Sequence, residues 1–188
     1  MPWEGNPYSI LAMKQYFVFQ TEMGWVGIAG SDGKMSDLEL PRPTRQEAES
    51  AVKEGIEGTL VESEHDFSGE AERIAAYFAG KRVEFDCEPD LSHASSFDRR
   101  VWAAAREIGY GEMDTYGGLA ARIGCFRGAR AVGQALGRNR VPLIIPCHRI
   151  LRSGGALGGF GCGLEWKRRL LSLEGVEKEA NLIRGVRK

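Results

Sequence analysis

Val141-Pro142-Leu143-Ile144-Ile145-Pro146-Cys147-His148-Arg149-Ile150-Leu151 is an apolar run interrupted by three consecutive reactive or charged residues. A run this apolar is expected to be buried, and burying Cys, His and Arg together costs free energy unless they face a cleft. Pro146 beside them restricts the backbone that presents them. In an extended segment adjacent side chains point to opposite faces, so His148 acts on Cys147 only if the chain turns there or a water carries the proton. A Cys-His pair alone means little, since a core cysteine beside a surface histidine is the simpler account. The flanking sequence decides between the two.

Downstream, six glycines fall between Gly154 and Gly163. Such a stretch is either a loose surface loop or a loop whose backbone comes close to a flat ligand. Leu164 to Leu173 then reads as a helix carrying Trp166, Lys167, Arg168 and Arg169, with Glu174-Gly175 at its end. Upstream, Phe97 to Ile108 reads as a helix with Phe97, Val101, Trp102, Ala105 and Ile108 on one face. Thr115 is placed to cap a short helix through Leu119, Ala120 and Ile123. Gly124 to Gly128 breaks it, and Ala129 to Leu136 forms the next. Two short helices across a glycine-containing break match a helix-turn-helix, with Arg130 in the first turn of the second helix, the end that usually faces DNA.

The first half reads differently. Leu11 to Phe19, Trp25 to Ala29 and Lys34 to Leu40 are expected as three strands of an antiparallel meander, and Lys81 to Asp86 alternates like a fourth. Helices are expected to open at Pro43-Thr44-Arg45 and at Ser68-Gly69-Glu70. Pro89 to Ser96 reads as a linker, giving an amino-terminal α+β unit, 1–96, and a helical unit, 97–188. The two are oppositely charged: 8 Lys and Arg face 18 Asp and Glu in the first, 17 face 8 in the second. Between Thr115 and Arg169 ten basic residues, nine of them Arg, accompany the single acid Glu165, an imbalance that suits a polyanion such as duplex DNA. Pairing between the two halves accounts for part of it. With 43% hydrophobic and 27% charged residues and no apolar run of membrane-spanning length, the composition argues against both a disordered tail and a membrane protein. Four cysteines without a CxxC pair are too few for a disulfide scaffold. The opening Met1-Pro2-Trp3-Glu4-Gly5 lacks a secretory pattern, so the expected location is cytoplasmic.

Tyr116-Gly117-Gly118-Leu119-Ala120, Ala129-Arg130-Ala131-Val132-Gly133, Asn139, Val141-Pro142, Ile145-Pro146-Cys147-His148-Arg149-Ile150, Ser153-Gly154-Gly155 and Leu164 to Gly175 follow one another in an order that closely resembles the O6-alkylguanine-DNA alkyltransferase family. The resemblance implies an α+β fold in which a small RNase H-like amino-terminal domain precedes a winged-helix-like, helix-turn-helix domain. It implies repair of O6-alkylguanine in double-stranded DNA, with O4-alkylthymine as a second candidate lesion, in one turnover and with no cofactor. Cys147 would be the nucleophile, its thiolate favoured by His148 and Arg149. His148, oriented by Glu174, would take the thiol proton through a water. Tyr116 would donate to the departing base, and Asn139 would order the turn around the cysteine. Arg130 would fill the space left by a nucleotide turned out of the stack, with Ala129, Ala131, Gly133 and Tyr116 against a minor groove read without sequence code. Arg149, Ile150, Leu157, Gly158, Gly159, Phe160, Gly161 and Lys167 would surround the base. The family is expected to act as a monomer.

Two positions depart from the family pattern. Phe160 stands where Tyr is common, and Arg140 follows Asn139 where Pro is common, which is expected to leave that turn less rigid. Some relatives hold a structural zinc in the first domain, but only Cys87 precedes residue 125, so no metal site is expected. Competing readings are a winged-helix regulator with a structural Cys147, a non-catalytic lesion sensor, and a cysteine hydrolase. Cys125 and Cys162 carry no role in the resemblance.

Overall fold

The computed structural model describes residues 13–176. Leu11 and Ala12 of the first expected strand, and the outer ends of both expected units, lie outside the described residues. β1 (Lys14–Thr21), β2 (Gly24–Ser31) and β3 (Lys34–Arg42) form the expected antiparallel meander. Its second turn places Asp32 at φ 51° and Gly33 at φ 71°, the two left-handed positions of a tight hairpin that matches strand twist. The strands sort their side chains with period two. Tyr16, Val18 and Ala29 face α1 (Arg45–Lys53), where they meet Ala48 and Val52. Phe17 and Phe19 point the other way, onto the face carrying Val26 and Ile28.

A short strand β4 (Leu60–Glu62) adds parallel to β1, giving the order β3-β2-β1-β4. Helix α2 (Ser68–Phe78) then lays Ala71, Ile74, Tyr77 and Phe78 into the core. The fourth strand expected over Lys81 to Asp86 is absent. Its alternation is real, with Val83 and Phe85 half-buried between exposed neighbours, but among the described residues its backbone joins no strand ladder. The chain meets β3 only at its end, where Met35 bridges Pro89 and the Asp90 N–H donates to the Met35 carbonyl at 2.8 Å. The expected linker is therefore fastened to the sheet.

The second half holds α3 (Ser96–Arg106), β5 (Asp114–Thr115), α4 (Tyr116–Arg122), α5 (Ala129–Gly137), β6 (Ile150–Leu151) and α6 (Leu164–Leu173). Ser95 caps α3 and Thr115 caps α4, each hydroxyl accepting from a backbone N–H three residues on. The buried Trp102 indole donates to the Ala135 carbonyl at 2.9 Å and so joins α3 to α5. Parallel pairing of β5 with β6, Thr115 opposite Leu151, brings the start of α4 beside the segment that follows Cys147. One hydrophobic core runs from Ile28 and Leu38 through Phe78 and Trp102 to Val132, Ile145 and Leu170. The fold is thus mixed α+β, and among the described residues no helix is long and apolar enough to cross a membrane.

Arg140 is not the loose point expected of it. Its carbonyl accepts from the Leu38 N–H at 2.9 Å and its Nε donates to Asp37 Oδ1 at 2.6 Å, which ties the turn after α5 to β3. Burial predicts where truncation hurts. Ile28→Ala, at a fully buried site, should cost about 2–5 kcal/mol in urea unfolding, whereas Val61→Ala on β4, at 39% exposure, should stay within about 0.5 kcal/mol. Equal losses at the two sites would contradict the described facing of the sheet.

Candidate active site

Cys147, His148 and Arg149 form one 3-10 turn, so the chain does turn where the sequence required it for these side chains to cooperate. Pro146 (φ −79°, ψ 61°) leads in, the Cys147 N–H donates to the Ile145 carbonyl at 2.8 Å, and the Arg149 N–H to the Pro146 carbonyl at 3.0 Å. Asn139 holds the turn from the side. Its Nδ2 donates to the Ile145 carbonyl at 2.9 Å and to Cys147 Sγ at 3.2 Å, while its Oδ1 accepts from the Val141 N–H at 3.0 Å.

Behind the turn lies a buried carboxylate. Glu174, at the C-terminal end of α6, accepts from Tyr77 Oη (2.8 Å), the Arg149 guanidinium (2.9 Å) and the Gly111 N–H (3.0 Å), and its Oε1 lies 2.8 Å from His148 Nε2. Arg149 also donates to the Ile108 carbonyl at 2.6 Å. Burial alone would raise the Glu174 carboxyl; the hydrogen bonds from His148 and Arg149 and the guanidinium charge reverse that and hold it well below the usual range. For His148 burial prevails over the Glu174 contact and pushes the imidazole down, so it is neutral at pH 7. A carboxylate facing Nε2 assigns the ring proton to that nitrogen and leaves the Nδ1 lone pair available as a base. His148 Nδ1 is also buried and has no hydrogen-bond partner among the described residues.

The thiol faces a different cation from the one expected. Arg149 is engaged by Glu174, and His148 is neutral. Burial pushes the Cys147 thiol up, and the groups opposing it are the Asn139 amide and the charge of Lys167. Lys167 is fully buried, with its ammonium donating to the carbonyls of Ile150, Leu157 and Gly159 and lying 5.7 Å from the centre of the Tyr116 ring. Burial brings it down to about 8. Burial also lifts the thiol of Cys87 to about 11.

Cys147 lines a cavity of about 890 Å³. Tyr116, Gly117, Ala129, Arg130 and Gly133 form one side, Gly159, Phe160 and Gly161 another. Of the residues expected around the base, Arg149, Ile150, Leu157, Gly158 and Lys167 do not line it. Arg149 sits on the Glu174 side, and Lys167 acts from beneath through carbonyls. Gly158 works through Tyr116: at φ 69°, a Cβ there would come within 2.8 Å of the ring, so only glycine lets the loop close over the tyrosine. Tyr116 Oη donates to the Gly159 carbonyl at 3.1 Å, and burial raises its hydroxyl, keeping it a donor. Sequence reasoning missed Gln134 and Arg152, which also line the cavity, and Tyr77, which reaches Glu174 across 97 positions. Tyr77 was legible only as an apolar helix position; Arg152 carried a signal, a further Arg in an acid-free stretch. Among the described residues no group of three or more His, Cys, Asp or Glu is arranged to hold a metal.

Comparison with known proteins places this geometry. Residues 96–176 match the family model described as 6-O-methylguanine DNA methyltransferase, DNA binding domain, whose first residue is the first of α3. The chain is 38% identical over 170 residues to the methylated-DNA–protein-cysteine methyltransferase of Mycolicibacterium paratuberculosis, covering 90% of this chain and 98% of that one. A protein of the same name from Methanosarcina acetivorans is 34% identical, over 85% of this chain and 97% of its own. Among solved structures, Mycobacterium tuberculosis OGT in complex with DNA superposes with a TM-score of 0.73 at 35% identity, covering 89% of this chain and 96% of that one.

The buried carboxylate gives a pH prediction. The folded values of Glu174 and His148 both lie below their unfolded ones, near 4.5 and 6.5, so each contributes stability that is complete above those values and lost as pH falls below them. Glu174→Gln should cost about 3–5 kcal/mol at pH 7, because it leaves the Arg149 charge buried without its partner. The gap from wild type should narrow as urea unfolding is repeated at pH 5, 4 and 3. A gap independent of pH would refute the account of the carboxylate.

Proposed function

The chain belongs to the methylated-DNA–protein-cysteine methyltransferase family, and from that membership we propose that it repairs DNA by direct reversal, moving an alkyl group from guanine O6 onto Cys147. The observation that carries the reading is a buried thiol on the wall of a cavity of about 890 Å³, ample for a base, hydrogen-bonded by Asn139 and backed by a His148–Glu174 pair whose free ring nitrogen is basic.

The thiol gives its proton, through a water, to His148 Nδ1, and Glu174 stabilises the imidazolium that forms. The thiolate attacks the alkyl carbon in line; the S–C bond forms, the C–O6 bond breaks, and negative charge moves into the purine. Tyr116, protonated, turns its O–H from the Gly159 carbonyl to donate to the departing base, and the Lys167 charge favours the thiolate. The product is a thioether, and none of these residues activates water to displace its sulfur, so each chain reacts once. The base reaches Cys147 by leaving the duplex. Arg130, exposed on the first turn of α5 and lining the cavity, fills the space it vacates, while Ala129, Ala131 and Gly133 let α5 approach the minor groove without reading sequence. We read residues 1–96 as an RNase H-like domain and 97–188 as a winged-helix-like domain built on α4 and α5, acting as a cytoplasmic monomer.

Duplex DNA labelled on the methyl of O6-methylguanine, mixed in excess with protein, should yield a burst of one label per chain, in the peptide containing Cys147, and nothing with Cys147→Ala. Sustained turnover, or label on Cys125 or Cys162, would overturn the mechanism. Arg130→Ala should slow repair in duplex DNA at least tenfold more than reaction with free O6-benzylguanine, because only the duplex has to be opened. Equal losses on both substrates would remove the role given to Arg130.

A further inference from the structure

The ten basic residues between Thr115 and Arg169 do not form a uniform surface. Arg122 pairs with Asp114, Arg138 with Asp98, Arg140 with Asp37, Arg149 with Glu174 and Arg169 with Glu165, and Lys167 is engaged by three carbonyls. Four remain. Arg127, Arg130, Arg152 and Arg168 are exposed, and among the described residues their guanidinium groups have no hydrogen-bonded or ionic partner. Of these four, only Arg130 and Arg152 line the cavity that Cys147 lines.

The two come from different walls, Arg130 from α5 and Arg152 from the residue after β6. Arg152 is anchored at its base and free at its tip. Its N–H donates to the Ala156 carbonyl at 2.7 Å and its carbonyl accepts from the Gly155 N–H at 3.0 Å, which closes a tight turn. Its Cγ lies close over Gly158, 3.3 Å from where a Cβ would stand, next to the Tyr116 ring. An anchored stem with an unpaired guanidinium at a cavity rim is set for an anion from outside the chain, and the planar fork of donors suits a phosphate. A nucleotide whose base enters the cavity carries its own phosphates to that rim.

We propose that Arg152 binds a phosphate flanking the nucleotide whose base occupies the Cys147 cavity, clamping the extruded nucleotide from the side opposite α5. The proposal rests on the functional reading above, and it separates the two arginines. Arg130 acts on the duplex left behind, so its contribution disappears in single-stranded DNA. Arg152 acts on the extruded nucleotide itself, so its contribution persists there.

The test uses the full chain and O6-methylguanine oligonucleotides, duplex and single-stranded, with each flanking phosphate replaced in turn by a neutral methylphosphonate. Arg152→Ala should weaken binding and slow alkyl transfer by about tenfold on both forms, a typical effect of losing one charge-assisted hydrogen-bonded contact. The slope of log affinity against log salt should fall by about one. At one phosphate, the methylphosphonate should cost wild type about tenfold and cost Arg152→Ala nothing further, and Arg152→Lys should recover part of the loss. The clamp is refuted if the variant matches wild type on single strands, or if the methylphosphonate and variant losses multiply at every position. Absence of alkyl transfer by wild type would instead sink the functional reading, so the two failures are distinguishable.

Discussion

A buried carboxylate at the end of α6 draws together elements from both halves of this chain, and much of the architecture serves to satisfy it. Glu174 is 5% exposed, and an ionised carboxyl at such a depth is tolerated only when its oxygens are filled with donors. Those donors come from three separate places: the end of α2 through Tyr77, the turn after α3 through Gly111, and the Cys147 turn through His148 and Arg149, all converging on the end of α6. The same set of bonds fixes the imidazole tautomer and therefore the identity of the base. Structural and chemical demands on Glu174 cannot be separated, because the contacts that make its burial possible are the ones that orient His148.

Much of this was legible in the sequence where a local signal existed. The meander, the helices opening at Thr44 and Thr115, and the break between α4 and α5 follow from turn residues, caps and periodicity, all short-range signals. What could not be read depends on partners far away in the chain. The alternation over Lys81 to Asp86 correctly told which residues point inward, yet pairing requires a free edge, and a single segment does not carry that information. β4 is three residues long and exists because β1 offers it an edge. At the site the residue types were legible and their wiring was not. Arg149, expected to assist the thiol, is drawn to Glu174 by a stronger, buried attraction, and the cation whose charge favours the thiolate is Lys167.

Charge shows the same division. The opposite signs of the two halves suggest mutual neutralisation, but among the described residues only Arg140 with Asp37 and Arg106 with Glu88 pair across them, and the other ion pairs stay within a half; the first of these matters most here. Its significance is positional. It secures the residue next to Asn139, so the sheet supports the hydrogen bond that holds the sulfur.

The ammonium of Lys167 grips the wall of the cavity by main-chain oxygens alone. Carbonyls are common to every amino acid, so the frame of that wall is indifferent to which side chains decorate it. Shape and chemistry are thereby separable: apart from Gly158, whose place over Tyr116 admits no side chain, residues 156 to 161 can change the width and polarity offered to a lesion, while one lysine preserves the backbone course. A lineage adapting to bulkier damage can explore that loop position by position without first rebuilding its scaffold.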